Sequence, residues 1–153
     1  MDLGKLSKER QYISSISAKE DGKKVTVAGW VYDDRDLGKI RFIVLRDISG
    51  GIQVTGGKGV TSDDVFKVMG GIPRESAIVI KGVIKKSPKA PGGREIFPSE
   101  IEVLSKAEHP LPIDVSDFSK TELPKRLDYR FLDTRRKVTS AIFKIRSSIY
   151  KNI

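Results

Sequence analysis

Gly29-Trp30-Val31-Tyr32-Asp33-Asp34-Arg35-Asp36-Leu37-Gly38-Lys39-Ile40-Arg41-Phe42-Ile43-Val44-Leu45-Arg46-Asp47-Ile48-Ser49-Gly50-Gly51-Ile52-Gln53-Val54 is the stretch on which the fold turns. It reads as three strands joined by two turns. Val25 and Val27 alternate with polar or small residues and lead into Trp30-Val31-Tyr32. Asp36-Leu37-Gly38-Lys39 predicts a turn, because glycine tolerates positive φ and aspartate bonds its own backbone. Ile40 to Leu45 is a β-branched and aromatic run, suited to a strand at least half covered. Asp47 to Gly51 predicts a second turn, from which Ile52-Gln53-Val54 pairs back. Three close antiparallel strands make a curled meander, the first half of a small barrel.

Working outward, Gly22 to Tyr32 extends the first strand, and Gly56-Gly57-Lys58-Gly59 ends the meander. Before it, Lys5 to Asp21 is polar with scattered Ile13 and Ile16, and fits one short helix or a leading strand. After it, Thr61-Ser62-Asp63-Asp64 is a helix start: a hydroxyl can cap, and acids sit at the positive end of the dipole. Val65, Phe66, Val68 and Met69 follow at helical spacing, and Gly70-Gly71 stops them. Ser76 to Ile84 and Glu95 to Leu104 read as strands around a basic hairpin loop, Lys85 to Arg94. The order is three strands, a helix, two strands. That order predicts an all-β fold, a five-stranded OB-fold barrel with one helix between strands 3 and 4. A Greek-key barrel of SH3-like topology is the alternative. Residues 1–105 form this barrel domain. Residues 106–126 have linker composition, with Pro110, Pro112, Asp114, Ser116, Asp117 and Ser119. Order resumes over 127–153, ending in a C-terminal helix from Thr139 to Ile153 with Ile142, Ile145 and Ile149 on one stripe.

A net charge of +9 favours polyanionic partners, since each neutralised phosphate releases counterions. A lysine-rich solvated surface of the heat-adapted kind is the alternative source of that charge. The absence of cysteine removes disulfides, thiolate nucleophiles and cysteine-ligated zinc, and fits a reducing cytoplasm. The single histidine, His109, precedes Pro110 in the linker and reads as an exposed loop residue, so no metal site and no Ser-His-Asp triad is expected. No run of eighteen apolar residues predicts a membrane helix, and Met1 to Lys5 lacks the apolar core of a signal peptide.

Two segments carry a resemblance to a known family. Gly29-Trp30-Val31, Arg35-Asp36-Leu37-Gly38, Phe42, Leu45-Arg46-Asp47 and Gly51-Ile52-Gln53-Val54 resemble the anticodon-binding domain of class IIb aminoacyl-tRNA synthetases. Arg126-Leu127-Asp128-Tyr129-Arg130-Phe131-Leu132-Asp133-Thr134-Arg135-Arg136 resembles their RLxxRxLDLRR hinge, with Thr134 in place of the usual leucine. Within the class the pattern is most similar to aspartyl-tRNA synthetases of the archaeal and eukaryotic type; lysyl enzymes lack the Arg-Asp-Leu-Gly turn, and asparaginyl enzymes usually differ at the hinge. The resemblance covers nearly the whole chain and implies an N-terminal OB barrel that grips unstacked anticodon bases. Single-stranded RNA is read by an aromatic ring under a base, polar groups on base edges and cations on phosphates.

The resemblance implies the following roles. Phe42 stacks under the middle anticodon base, a uracil. Gln53 hydrogen-bonds that uracil, its amide offering both donor and acceptor. Glu100 on the last strand accepts from a base edge, with Glu102 as the competing choice. Arg35 lies near the anticodon backbone, although Asp33 and Asp34 beside it are acidic where many relatives are basic or neutral. Lys89, in the loop between strands 4 and 5, meets a phosphate or base, and Tyr32 with Lys89 could tune acceptance at the third anticodon base. Arg46 and Asp47 are expected to pair at the strand end.

A catalytic domain would follow the hinge, and the isoleucine stripe resembles the opening helix of the family's dimerisation motif. The chain therefore reads as a piece of a longer enzyme, with no catalytic residue and no cofactor of its own. ATP, Mg2+ and homodimer formation would belong to the parent. The expected partner is tRNA for aspartate, with asparagine tRNA left open, in the cytoplasm and without a membrane. A free-standing single-stranded nucleic-acid-binding OB protein, the same domain of an asparaginyl-tRNA synthetase, and a protein-interaction barrel are the competing readings. The hinge and the apolar helix favour the synthetase.

Overall fold

A computed structural model describes Gly4, residues 8–116, Phe118 and residues 120–152. Alternation of apolar and polar residues builds the strands: β1 (Lys24–Asp36), β2 (Ile40–Arg46) and β3 (Gly51–Gly57) form the meander. Helix α1 (Asp63–Met69) follows, then β4 (Ala77–Lys86) and β5 (Arg94–Ser105). The strands close into a barrel in the order β1-β2-β3-β5-β4. All pairings are antiparallel except the closing one, where β3 meets β5 in parallel through Gln53 opposite Glu95 and Val54 opposite Ile96. This is the OB arrangement expected from the strand order.

Turn chemistry sets the register. The Asp36 carboxylate accepts from the Gly38 N–H at 2.7 Å, and Gly38 sits at φ +77°, where a side chain would be strained. That hydrogen bond, reinforced by Arg41, holds the Asp36 carboxyl below its ordinary range. Asp47 organises the second turn by accepting from the N–H groups of Ser49 (2.7 Å) and Gly50 (2.9 Å). Gly29 is required by packing: a Cβ there would lie 2.5 Å from the Arg46 carbonyl oxygen.

The barrel interior is filled by inward-facing residues of every strand, including Val27, Val31, Ile43, Leu45, Val54, Ile80 and Ile96. Fully burying each such side chain contributes roughly 1.5–3 kcal/mol. Both mouths are plugged. Ile13 and Ile16, from the polar leading segment, are buried in this core. They belong to 3-10 turns at Ile13–Ser15 and Ala18–Glu20 rather than to one helix or strand, while residues 5–7 of that segment lie outside the described residues. The Ile13 N–H donates to Asp47 at 2.9 Å, tying this plug to the β2–β3 turn. At the other end of β3, Met69 of α1 packs against Gly56. Helix α1 starts where expected, with Ser62 Oγ accepting from the Val65 N–H at 3.4 Å.

The chain divides into two compact units, the first ending at Glu108 and the second starting at His109. The second contains α2 (Leu123–Asp128), α3 (Arg130–Asp133) and α4 (Lys137–Lys151). Within the stretch of linker composition, Ile113 and Val115 are buried against Leu132; Asp117 and Ser119 lie outside the described residues. Beside this small core, Arg126 grips Asp133 with two hydrogen bonds, 2.7 Å from Nε and 3.1 Å from Nη2. Arg136 Nη1 (3.4 Å) and Thr139 Oγ1 (3.3 Å) donate to the same carboxylate. These donors, Arg126 first, hold the Asp133 carboxyl below its ordinary range. Helix α4 exposes Ile142, Ile145 and Ile149, each more than half accessible; Ile153 lies outside the described residues. Among the described residues no helix is long and apolar enough to cross a membrane.

Candidate nucleic-acid interface

Because side chains alternate along a strand, the residues flanking the core positions Ile43, Leu45, Ile52 and Val54 share the barrel's outer face. On β2 these are Phe42, Val44 and Arg46; on β3 they are Gln53 and Thr55. Register sets their neighbours. Phe42 lies opposite Thr55, and Val44 opposite Gln53. On the other side of β2, Arg35 lies opposite Phe42 and Asp33 opposite Val44. Phe42 is half-buried and stands outside the core cluster, so its ring belongs to this surface.

The parallel closure brings a carboxylate to the same place. Gln53 Nε2 donates to Glu95 Oε2 at 2.9 Å and to Thr55 Oγ1 at 3.2 Å. The Thr55 hydroxyl in turn donates to Glu95 Oε2. Thr55 and Glu95 are each only 9% exposed, so this network is sheltered from water beside a partly exposed aromatic ring. An aromatic face next to fixed polar groups is the combination that holds an unstacked base.

The residues expected from the sequence fall into two groups. Phe42, Gln53 and Arg35 are brought together on this face. Arg35 is exposed and 4.0 Å from Asp33. The acidic pair beside it is met by Arg74, from the segment between α1 and β4, which bonds Asp33 and reaches Asp34 at 3.3 Å. Tyr32 sits at a bulge in β1 with its ring covered by the Arg46 guanidinium at 4.3 Å. Arg46 thus lies over Tyr32 while Asp47 serves the turn backbone. Lys89 is exposed in the loop that leads directly into β5. Glu100 is not part of the cluster. It pairs across β4–β5 with Lys81, whose Nζ lies 2.8 Å from it, and the ion pair raises the lysine's pKa. It stands five positions beyond Glu95, about 16 Å along the strand at roughly 3.3 Å per residue.

Sequence reading missed Glu95 and Thr55. Thr55 was within reach, since it lies two positions after Gln53 and so must share its face. Glu95 carried no local signal, because its place depends on a closure between residues forty-two positions apart.

Residues 25–104 match the family described as OB-fold nucleic acid binding domain, of the tRNA anticodon type. The chain is 44% identical to an aspartate–tRNA(Asp/Asn) ligase of Archaeoglobus fulgidus over 94% of this chain and 34% of that protein. It is 46% identical to an aspartate–tRNA(Asp) ligase of Pyrococcus abyssi over 92% of this chain and 32% of the relative. Its fold matches the asparaginyl-tRNA synthetase of Pyrococcus horikoshii with a TM-score of 0.85 at 32% identity, over 94% of this chain and 32% of that one. The chain spans about a third of the length of these relatives. The barrel closed in OB order agrees with the matching family, and the chain belongs to the OB-fold nucleic acid binding domains of the tRNA anticodon family.

Proposed function

We propose that the outer face of this barrel holds the anticodon of aspartate tRNA, and that the longer protein of which such a domain is part ligates aspartate to that tRNA. The observation that carries the proposal is the adjacency of Phe42 to the Gln53–Thr55–Glu95 network. Phe42 stacks under the middle base, and Gln53, held by Glu95, meets its edge. Arg35 and Lys89 lie where the backbone phosphates would pass, and Tyr32 beside Arg46 faces a neighbouring base. Among the described residues no group of three or more His, Cys, Asp or Glu side chains could hold a metal ion. ATP and Mg2+ binding, aspartate activation and homodimer formation in the cytoplasm are proposed for the longer protein.

Asparagine tRNA is the second reading, supported by the likeness to an asparaginyl-tRNA synthetase and to a relative named for both tRNAs. The two anticodons share their middle base and differ at the third. Binding of this chain to an aspartate anticodon stem-loop, against stem-loops changed at each anticodon position, tests both. Strong loss on changing the middle base is expected. Indifference to every anticodon change overturns the anticodon reading and leaves a general single-strand binder; equal binding of both third bases selects dual acceptance.

A further inference from the structure

The hydrogen bonds around Thr55 have a polarity that geometry alone does not give but chemistry does. An ionised carboxylate only accepts. The Gln53 side-chain terminus 2.9 Å from Glu95 Oε2 must therefore be the amide nitrogen and not the oxygen, although the two look alike in shape. Thr55 reinforces that choice. Its single hydroxyl proton is committed to Glu95 Oε2, so towards Gln53 its oxygen acts as acceptor. The Gln53 amide nitrogen is thereby turned inward, towards the adjacent Glu95 and Thr55 oxygens. Among the described residues nothing donates to its Oε1. A free glutamine is ambidextrous, offering donor or acceptor by a half-turn about its last bond. This one is not.

We infer that Thr55 is a positioning residue that helps lock the Gln53 amide with its carbonyl oxygen outward, so that the base seated on Phe42 must present an N–H to it from ring N3. The inference rests on the anticodon reading above and refines it. Uracil offers its N3–H to such an oxygen; cytosine offers an unprotonated N3, a lone pair against a lone pair, at the equivalent ring position. Uracil is thus accepted at the middle position and cytosine rejected without any residue having to touch cytosine unfavourably elsewhere. Gln53 alone would not reject it, because a rotated amide would donate to cytosine N3 equally well. Glu95 draws the amide nitrogen inward, and the Thr55 hydroxyl, oriented by the same carboxylate, adds a second acceptor for it, so losing Thr55 weakens the lock without abolishing it.

The test compares the chain with its Thr55→Val and Thr55→Ser variants for binding to anticodon stem-loops carrying uracil or cytosine at the middle position, with thermal unfolding of each protein alongside. Valine keeps the shape and removes the hydroxyl; serine keeps the hydroxyl and removes the methyl group. The expected result is a uracil-over-cytosine preference that falls about tenfold in T55V, mainly through improved cytosine binding, and survives in T55S. A change in melting temperature common to both variants does not produce that pattern. An undiminished preference in T55V, or equal losses in both variants, overturns the lock while leaving the anticodon reading in place. Absence of any middle-base preference in the unmodified chain overturns the anticodon reading and the inference with it.

Discussion

Gln53 and Glu95 meet across the one parallel pairing of the barrel, Nε2 to Oε2 at 2.9 Å, forty-two residues apart in sequence. Their contact joins the meander to the last strand at the point where the outer face carries its polar groups. Replacing Glu95 by Ala leaves the Thr55 hydroxyl and the Gln53 amide without their common acceptor in a sheltered site. The barrel should lose about 1–3 kcal/mol of stability, and binding to the anticodon stem-loop should weaken at least tenfold. Urea unfolding and a titration with labelled stem-loop measure the two effects; full binding in E95A would remove Glu95 from the interface.

Phe42→Ala separates a stacking ring from a core ring. Phe42 lies outside the core cluster, opposite Thr55 on the outer face. Its truncation should weaken stem-loop binding by about 1–3 kcal/mol, the range for one base stacked on an aromatic ring, with little change in melting temperature. A stability loss of about 3–5 kcal/mol, the range for a core phenylalanine, would assign the ring to packing instead.

Salt should report the phosphate contacts. With a net charge of +9 and Arg35 and Lys89 both exposed, log affinity for the stem-loop should fall with log salt at a slope of about −0.7 per phosphate contacted. Replacing Lys89 by Ala should flatten that slope by about one contact and weaken all anticodon sequences alike. A slope unchanged in K89A places that lysine off the backbone.

The second unit should be acid-sensitive. Arg126, followed by Arg136 and Thr139, depresses the Asp133 pKa below its unfolded value. The stabilisation is thus fully present above the ordinary aspartate range, near pH 4 and higher, and is lost as pH falls through the depressed folded value. Asp133→Asn should flatten that acid limb and cost about 1–3 kcal/mol at neutral pH, less than for a fully buried ion pair because a quarter of the Arg126 side chain is exposed. Tyrosine fluorescence near Tyr129, followed against pH in both proteins, measures it; identical acid limbs would refute the assignment.

Removal of everything after Glu108 should leave the barrel folded and binding. Its core cluster draws every member from Ile13 to Val103, and none from the second unit. Circular dichroism and stem-loop binding of the shortened chain check this; loss of the β-sheet signal would mean that the second unit supports the barrel.

The sequence by itself determined the barrel, the helix between strands 3 and 4, and much of the outer face. These are short-range matters: period-two alternation in Ile40 to Leu45, the Asp36–Gly38 and Asp47–Gly50 turns, and the Ser62 cap all act within a few residues. That Phe42 and Gln53 share the outer face follows from strand geometry and register. The tertiary structure decided which groups stand beside them. Closure of β3 on β5 selects Glu95 over Glu100 as Gln53's neighbour, and no periodic pattern encodes a pairing between residues so far apart. The same holds for Arg74, which meets the acidic Asp33 and Asp34 from another segment, and for Ile13 and Ile16, isolated in a polar stretch yet buried as a plug. The direction of the Gln53 amide is decided last of all. It depends on a carboxylate that cannot donate and a hydroxyl with one proton to give, and those two groups meet only when the barrel is closed.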